Sequence, residues 1–250
     1  MNRQSKIKSI RGTLKTGNPT IGSWMQIPNA SVAEIMGKAG YDWVAIDFEH
    51  GSFSLHQLPN LFRALELGGT LPLVRLAQGH ITDIKQALDA GAGGVIIPMV
   101  ENAEELRMLR NACCWPPAGT RGVGFCRANL FGKDFNEYQE EAASPLVIAM
   151  IENINALNQL ENILKVNGLD SILIGPYDLS ASLGITGQFT HSEYTKAVKY
   201  ILNLCNRYKI AAGIHIVEPD SILLKGKIDE GYRFIAYGID SVFLIKASQI

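Results

Sequence analysis

The sequence predicts an α/β protein whose eight strands close into a single (β/α)8 barrel, a TIM barrel. Eight short apolar runs rich in β-branched residues alternate with longer segments of helical period. The runs are almost continuously apolar, which is typical of parallel strands buried on both faces. A chain of 250 residues has the usual length of such a barrel. We therefore expect one domain over residues 1–250.

Each predicted strand corresponds to one apolar run. The runs are TIGSWMQ from Thr20, WVAIDFEH from Trp43, LPLVRLA from Leu71, GGVIIPMV from Gly93, LVIAMIEN from Leu146, DSILIGPYD from Asp170, AAGIHIV from Ala211 and FIAYGID from Phe234. A regular β-then-α order predicts parallel strands joined by right-handed crossovers. Because no G-x-G-x-x-G follows the first run, a closed barrel is favoured over an open dinucleotide-binding sheet.

The segments between the runs carry the start and stop signals of helices. Residues 31–34, 102–105 and 190–193 begin with Ser, Asn or Thr and reach Glu three residues later, which is the spacing of an N-terminal cap. Gly40 and Gly91 follow helical stretches, and glycine readily adopts the left-handed conformation at a helix end.

Composition excludes several classes of partner. The formal net charge of −1 offers no electrostatic attraction to nucleic acid or an anionic membrane. No apolar run approaches the roughly 18 residues that a membrane span needs, and the basic start lacks the apolar core of a secretory signal. The four cysteines form no Cys-x-x-Cys pair, so we expect reduced thiols in a cytoplasmic protein.

Ionisable residues collect where the predicted strands end, which is the end of a TIM barrel that carries the chemistry. Each would be costly to bury without a partner. They are Asp47, Glu49 and His50 after the second strand, Arg75 at the third, Glu152 at the fifth and Asp178 at the sixth.

Glu152 and Asp178 are the candidate metal ligands. Two carboxylates from neighbouring strands repel each other unless a hard divalent cation lies between them. Oxygen ligands suit Mg²⁺, Mn²⁺, Co²⁺ or a similar ion, with water and substrate in the remaining positions. The alternative is that each carboxylate caps a loop or forms a salt bridge.

The histidine and arginine candidates each have more than one possible role. His50 is a general base, a metal ligand or a structural group, and we expect His215 inside GIHIV to be structural. Arg75 binds a substrate carboxylate or enolate, or it pairs with a neighbouring acid. No predicted strand contains a lysine, and Lys246 falls in a predicted closing helix. Schiff-base chemistry is therefore disfavoured relative to a metal.

Seven segments together resemble the HpcH/HpaI aldolase family, the metal-dependent class II pyruvate aldolases of the 2,4-dihydroxyhept-2-ene-1,7-dioate aldolase type. They lie between about Gly22 and Asp240 and read GSWMQIPN, AGYDWVAIDFEHG, PLVRLA, IKQALDAGAGGVIIPMVENAEE, PPAGTRGVG, IEN and IGPYDLSASLG. The elements D-x-E-H, P-P-A-G-x-R-G-V-G and G-P-x-D-L-S are specific in combination.

The resemblance implies a role for each matching residue. It implies metal ligation by Glu152 and Asp178, catalysis by His50 paired with Asp89, and enolate stabilisation by Arg75. Two acids near the metal-bound water are implied as well, and so is a backbone site for the pyruvate carboxylate. These acids are Asp47 and Glu49, and the carboxylate site is Gly175, Pro176, Tyr177 and Asp178.

The implied activity is reversible cleavage of a 4-hydroxy-2-oxo acid to pyruvate, or a related 2-oxo acid, and an aldehyde through a metal-stabilised enolate. A citrate-synthase-like reaction with an acyl thioester on the same site is the alternative, and a metabolite-binding or scaffold protein is a third. The resemblance also implies a homo-oligomer, usually a hexamer. Met150 stands where the family often has Gln, so an amide hydrogen bond expected there is absent.

Overall fold

Eight parallel strands close into a barrel in the order of the chain, with the last strand paired to the first. The structure, a computed structural model, describes residues 1–249. The strands are β1 (Thr20–Met25), β2 (Trp43–Asp47), β3 (Leu71–Arg75), β4 (Gly94–Ile97), β5 (Leu146–Ile151), β6 (Ser171–Ile174), β7 (Ala211–Ile216) and β8 (Phe234–Ile239). Each predicted run contains one strand, and each strand is shorter than its run. The predicted (β/α)8 barrel is confirmed.

Helices follow the strands and surround the barrel. They are α1 (Arg3–Lys15), α2 (Ala30–Lys38), α3 (Leu58–Gly68), α4 (Ile81–Ala90), α5 (Ala103–Cys113), α6 (Phe135–Ala143), α7 (Ile154–Asn158), α8 (Leu160–Leu164), α9 (Pro176–Ser182), α10 (Ser192–Tyr208), α11 (Ser221–Glu230) and α12 (Asp240–Ser248). Within residues 1–249, every helix is too short or too polar to cross a bilayer. Two short 3-10 helices, Leu55–Gln57 and Arg127–Gly132, complete the secondary structure of the described residues.

The predicted helix starts are right in place and partly wrong in the capping residue. Asn102 caps α5 as predicted, accepting from the backbone N–H of Glu105. Helix α2 is capped by Asn29 rather than Ser31, and α10 by His191 rather than Thr190. Asn29 lies two residues before Ser31, and its side chain accepts a hydrogen bond from the backbone N–H of Ser31. A side-chain acceptor on a residue with extended backbone can cap a helix in this way.

Helix α1 precedes the first apolar run, and the sequence argument assigned no structure to it. Its buried side chains Ile7, Ile10 and Leu14 pack into the cluster that fills the barrel interior. The same cluster contains the first residue of several strands, Trp43 of β2 and Phe234 of β8 among them. Helix α1 therefore closes the end of the barrel at which the strands begin.

The barrel interior is filled by alternate residues of the strands, as the period of two along a strand requires. The Trp43 ring stacks on Phe234 with centroids 4.2 Å apart. It also covers Gly22, where an added Cβ would lie 2.0 Å from the ring. Glycine at this position lets β1 approach the indole ring.

The same period directs polar side chains into the mouth of the barrel. Ala45 and Leu73 belong to the interior cluster, and Asp47 and Arg75 lie two residues further along β2 and β3. The register of these strands pairs Asp47 directly with Arg75. Met150 of β5 is also in the interior cluster, and Glu152 follows two residues later. The layer of side chains above the apolar core thus contains the ionisable residues Asp47, Arg75 and Glu152.

We expect Ile10→Ala to lower the free energy of unfolding by about 2–5 kcal/mol, because it leaves a cavity under the barrel interior. Urea denaturation measures this change. The control is Ile35→Ala on α2, where the side chain is 70% exposed and the expected change is within about 0.5 kcal/mol. Equal effects of the two substitutions would contradict the assignment of α1 to the core.

Candidate functional site

A cavity of about 300 Å³ opens at the carboxyl ends of the strands. The cavity is lined by six of the residues that the sequence predicts to form the site. They come from β3 and from the segments that follow β2 and β6. These six are His50, Arg75, Gly175, Pro176, Tyr177 and Asp178. The predicted catalytic and substrate-binding residues other than Asp89 therefore meet at one end of the barrel.

Arg75 is held by two carboxylates at the floor of this pocket. Its Nε and Nη2 atoms donate to the two oxygens of Asp47 at 2.8 and 2.7 Å. Its Nη1 atom lies 2.8 Å from Oε2 of Glu49. A guanidinium carries five N–H donors. Two of them are hydrogen-bonded to Asp47, whereas the Nη1 contact with Glu49 is an ion pair without a hydrogen bond, since Oε2 of Glu49 has no hydrogen-bond partner.

Asp47 organises the turn that carries Glu49 and His50. It is fully buried, and its Oδ1 accepts from the backbone N–H groups of Glu49 and His50 at 3.1 and 3.2 Å. Its Oδ2 accepts from Nε2 of Gln26 at 2.9 Å. Burial acts to raise the pKa of Asp47, but Arg75 and these hydrogen bonds outweigh it, so the pKa lies below its usual value.

Glu49 has a less satisfied environment than Asp47. Burial raises the pKa of Glu49 above its usual value, and the charges of Asp47 and Asp178 add to that effect. The positive charge of Arg75 opposes it without cancelling it. Glu49 therefore takes up a proton more readily than an exposed glutamate.

Arg75 also lies over an aromatic ring. Its guanidinium carbon is 4.5 Å from the ring centroid of Trp24, a cation–π distance. Burial acts to lower the pKa of Arg75, but the charges of Asp47, Glu49 and Glu152 raise it above its usual value. Arg75 is therefore a permanent cation with a defined orientation.

Glu152 is buried with one oxygen anchored and the other free. Its Oε1 accepts from the backbone N–H of Met99 at 2.7 Å, while Oε2 is buried without a hydrogen-bond partner. Burial raises the pKa of Glu152 to about 7, with further contributions from the charges of Glu49 and Asp178. A buried carboxylate that is costly to ionise is stabilised in its charged form by a nearby cation.

Two backbone features make room for Glu152. Met99 has a φ of 52°, the left-handed region that a side chain rarely adopts, and in this conformation its N–H meets Oε1 of Glu152. Gly175 lies against the other oxygen, and an added Cβ there would be 2.2 Å from Oε2. Because residue 175 is a glycine, there is room for the free oxygen of Glu152.

Asp178 lies in the first turn of α9, whereas the sequence placed it on the sixth strand. Strand β6 ends at Ile174, and Gly175 and Pro176 begin the helix. Asp178 is exposed and lines the pocket, and its charge raises the pKa of Glu152. The two candidate ligands therefore lie close enough for their charges to interact, and they come from the segments that follow the neighbouring strands β5 and β6.

The carboxylates at this mouth fit a divalent cation. Glu152 offers a buried oxygen without a partner, and Gly175 leaves a space that a side chain would fill. Oxygen donors of this kind suit hard ions such as Mg²⁺ and Mn²⁺. Among residues 1–249, no three His, Cys, Asp or Glu side chains are grouped as a metal site. The candidate donors are the pair Glu152 and Asp178.

His50 and Asp89 do not meet within one chain. His50 is exposed at the mouth, after the carboxyl end of β2. Asp89 lies near the end of α4, which leads to the start of β4, and its oxygens are 3.5 Å from Lys85 Nζ and 3.8 Å from Arg121 Nη1. The two residues are at opposite ends of the barrel, so this chain by itself does not form the predicted pair.

Three further residues shape the site, and the sequence argument missed them because it considered only ionisable residues near the strand ends. Gln26 ends the first apolar run, and its polarity at that place was a usable signal. Met99 acts through its backbone and Trp24 through its ring, which a pattern of residue types does not reveal. His215, predicted to be structural, packs against Trp24 at 5.7 Å and lines the pocket.

Burial lowers the pKa of His215 to about 3, and the charge of Arg75 acts in the same direction. The imidazole is therefore neutral at physiological pH. Met150, which stands where an amide was expected, is buried beside the pocket. Its thioether supplies an apolar wall and no strong hydrogen-bond donor.

Comparison with known proteins covers almost the whole chain. The model of the family described as HpcH/HpaI aldolase/citrate lyase matches residues 20–247. The hydroxypyruvate/pyruvate aldolase of Roseobacter denitrificans is 35% identical over 245 residues, which are 97% of this chain and 95% of that protein. The 4-hydroxy-2-oxo-heptane-1,7-dioate aldolase of Salmonella heidelberg is 34% identical over 243 residues, covering 96% of this chain and 92% of the relative.

A solved structure agrees with the sequence comparisons. The HpcH/HpaI aldolase/citrate lyase family protein from Burkholderia cenocepacia superposes with a TM-score of 0.90 at 29% identity, covering 96% of each chain. The barrel, the acids and arginine at its mouth, and the matched residues 20–247 lead to the same assignment. The chain belongs to the HpcH/HpaI aldolase/citrate lyase family.

Proposed function

We propose that this enzyme, a carbon–carbon lyase, reversibly cleaves a 4-hydroxy-2-oxo acid to pyruvate, or a related 2-oxo acid, and an aldehyde. The observation that carries the proposal is the buried, unpartnered oxygen of Glu152, on which the charges of Asp178 and Arg75 act. Such a site suits a cation and a developing enolate. The aldolase activities of the two curated relatives support the same reaction.

Glu152 and Asp178 are the residues that would hold a divalent cation such as Mg²⁺, Mn²⁺ or Co²⁺. When bound, the cation supplies Lewis-acid polarisation of the 2-oxo group and positive charge near the enolate oxygen. Asp47 and Glu49 lie behind this position and hold Arg75 in its orientation. They act on the site through the arginine and the surrounding water.

The chain itself contributes donors for the negative charges of the substrate. The N–H groups of Arg75 that are not hydrogen-bonded to Asp47 are available to the oxygen on which charge accumulates, where they stabilise the transition state. Because α9 begins at Pro176, the N–H groups of Tyr177 and Asp178 precede the first intrahelical donor and are free to bind the substrate carboxylate.

His50 supplies the base. In the cleavage direction it takes the proton of the 4-hydroxyl group, directly or through one water, as the C3–C4 bond breaks. The electrons of that bond pass to the 2-oxo oxygen, and protonation of C3 then gives the 2-oxo acid. The buried rings and side chains of Trp24 and Met150 limit access of bulk water to the enolate.

We also propose a homo-oligomer, a hexamer by family resemblance, in the cytoplasm. Apolar side chains on the last two helices support assembly, because Ile222, Leu244 and Ile245 are 83, 62 and 57% exposed. In an assembly, Asp89 of one copy would pair with His50 of another, which a single chain cannot do. The free cysteines support a reducing compartment.

Glu152→Ala is expected to reduce pyruvate release from a 4-hydroxy-2-oxo acid by about 1,000-fold or more, because several kcal/mol of charge stabilisation is lost. Chelator should abolish wild-type activity and Mg²⁺ or Mn²⁺ should restore it, as measured in a coupled pyruvate assay. Glu104→Ala, an exposed change on α5, is the control and should keep full activity. Chelator-insensitive activity that borohydride traps would contradict the proposal, and thiol release from an acyl thioester would favour the alternative reaction.

Cation affinity is expected to rise with pH. Glu152 must lose its proton to bind a cation, and its pKa is about 7, so Mn²⁺ should bind about tenfold more weakly at pH 6 than at pH 8. Electron paramagnetic resonance of free Mn²⁺ measures this. Glu49→Gln removes a charge that raises the pKa of Glu152 and should move the transition to lower pH. An affinity independent of pH between 6 and 8 argues against Glu152 as a ligand.

His50→Ala is expected to lower kcat by about 100-fold to 10,000-fold, the usual contribution of a general base, while Mn²⁺ affinity changes by less than about twofold. Steady-state kinetics and cation titration together separate the two effects. His56→Ala, an exposed histidine outside the pocket, should leave both unchanged. Loss of cation binding in His50→Ala would make His50 a ligand instead of a base.

A further inference from the structure

A buried acid at the end of β8 takes no part in the chemistry described so far. Asp240 begins α12 and is 5% exposed. Its Oδ1 accepts from the backbone N–H groups of Gln26 and Ser241, both at 2.8 Å, and its Oδ2 accepts from the N–H of Ile27 at 2.8 Å. The carboxylate therefore fixes the backbone of the segment that follows β1 at the mouth of the barrel.

An irregularity in β8 precedes this acid. The register of β8 against β1 shifts just before Trp24, which pairs with Ile239, and the extra residue lies on β8. Gly238 in this interval has a φ of 71°, in the left-handed region that favours glycine. Asp240 follows directly, and its carboxylate binds the backbone of Gln26. Asp240 thus joins the two strands at which the barrel closes.

Gln26 donates hydrogen bonds to two buried acids. Its backbone N–H donates to Asp240, and its side-chain Nε2 donates to Oδ2 of Asp47 at 2.9 Å. An ionised carboxylate only accepts hydrogen bonds, so the nitrogen end of the amide must face Asp47. The oxygen end accepts from the hydroxyl of Ser241 at 3.4 Å. The backbone and the side chain of Gln26 therefore both have a fixed orientation.

The amide of Gln26 and the guanidinium of Arg75 share one oxygen of Asp47. Nη2 of Arg75 donates to the same Oδ2 at 2.7 Å, and its Nε donates to Oδ1 at 2.8 Å. Because this pair is bidentate, the orientation of the guanidinium follows that of the carboxylate. Asp47 and Asp240 are buried within one chain, so these contacts do not depend on what another copy brings to the mouth.

We propose that Gln26 is a positioning residue for the proposed reaction: its amide holds Asp47, and through it Arg75, while Asp240 holds Gln26. This inference rests on the proposed function and extends it to a residue that acts through Asp47.

The physical basis is that this position needs a donor without a negative charge. Burial raises the pKa of Asp240, and the charge of Asp47 acts in the same direction, so the two acids are close enough to repel each other. Gln26 donates to both of them and adds no charge. A carboxylate in its place would add a third negative charge and would lose the donor.

A variant of the same length without a donor tests the amide. Gln26→Met fills a similar space and cannot donate a strong hydrogen bond. With Mg²⁺ at saturation, we expect it to lower kcat/KM for pyruvate release from a 4-hydroxy-2-oxo acid by about tenfold, because a hydrogen bond to a charged group is lost. Mn²⁺ affinity should change by less than about twofold. Wild-type kcat/KM in Gln26→Met would overturn the proposal.

Gln26→Glu provides a pH profile that a space-filling role would not produce. The introduced carboxyl group lies beside Asp47 and Asp240, whose negative charges favour its protonated form, and Arg75 opposes this effect from the far side of Asp47. The protonated group donates to Asp47, and the ionised group repels it. The kcat/KM of the variant relative to the wild type should therefore fall by about tenfold between pH 6 and pH 8. A ratio that is the same at both pH values would overturn the proposal.

A double-mutant cycle tests whether Asp240 acts through Gln26. Asp240→Asn leaves at least one backbone N–H without an acceptor and is expected to lower kcat/KM by about fivefold in the wild type, but by less than about twofold in Gln26→Met. Asp42→Asn is the matched control, because Asp42 accepts from the N–H of Ile21 at 3.0 Å at the other end of β1. It should keep wild-type kcat/KM. Equal effects of Asp240→Asn in the two backgrounds would overturn the role of Asp240.

Failure of this inference can be told apart from failure of the proposed function. Enolisation needs no aldehyde, so exchange of the pyruvate methyl protons in D₂O with Mg²⁺, followed by proton NMR, tests the reacting end of the wild-type site alone. Exchange in the wild type together with undiminished activity in Gln26→Met overturns only the positioning role. Absence of exchange in the Mg²⁺-loaded wild type overturns the proposed function and this inference with it.

Discussion

The ion pair between Arg75 and Asp47 is the interaction on which the mouth of the barrel depends. The register of β2 and β3 places the two residues side by side, and both point inward above the apolar core. Removing one partner of a buried pair typically costs about 3–5 kcal/mol, because the other charge is left uncompensated. Asp47 also binds the turn that carries Glu49 and His50, so the same carboxylate positions the arginine and the proposed base.

Glu152 has the opposite environment, although it lies in the same layer. Asp47 is satisfied by a guanidinium, an amide and two backbone N–H groups, whereas Glu152 has one backbone donor and a free oxygen. The pKa of Asp47 falls and that of Glu152 rises as a result. Two acids of similar chemistry therefore differ in environment: Asp47 is held by an ion pair and hydrogen bonds, and Glu152 keeps one buried oxygen without a partner.

The strands and the candidate acids were predictable because both depend on local properties of the chain. A strand buried on both faces must be almost entirely apolar, so an ionisable residue at its end stands out. Helix α1 was missed although Ile7, Ile10 and Leu14 have helical spacing, because the surrounding residues are strongly polar and the segment precedes the first strand. Asp178 was assigned to the right end of the barrel but to a strand instead of the first turn of α9.

The amino-acid sequence by itself determined the (β/α)8 order, the number of strands and the end of the barrel at which polar residues gather, since these follow from periodicity and burial. The tertiary structure alone decided which acid neutralises Arg75 and which oxygen of Glu152 remains free. It also decided that Met99 contributes its backbone and that Asp89 lies far from His50 in one chain. Those facts depend on strand register, helix direction and backbone conformation, which bring together atoms that residue types and spacing do not relate.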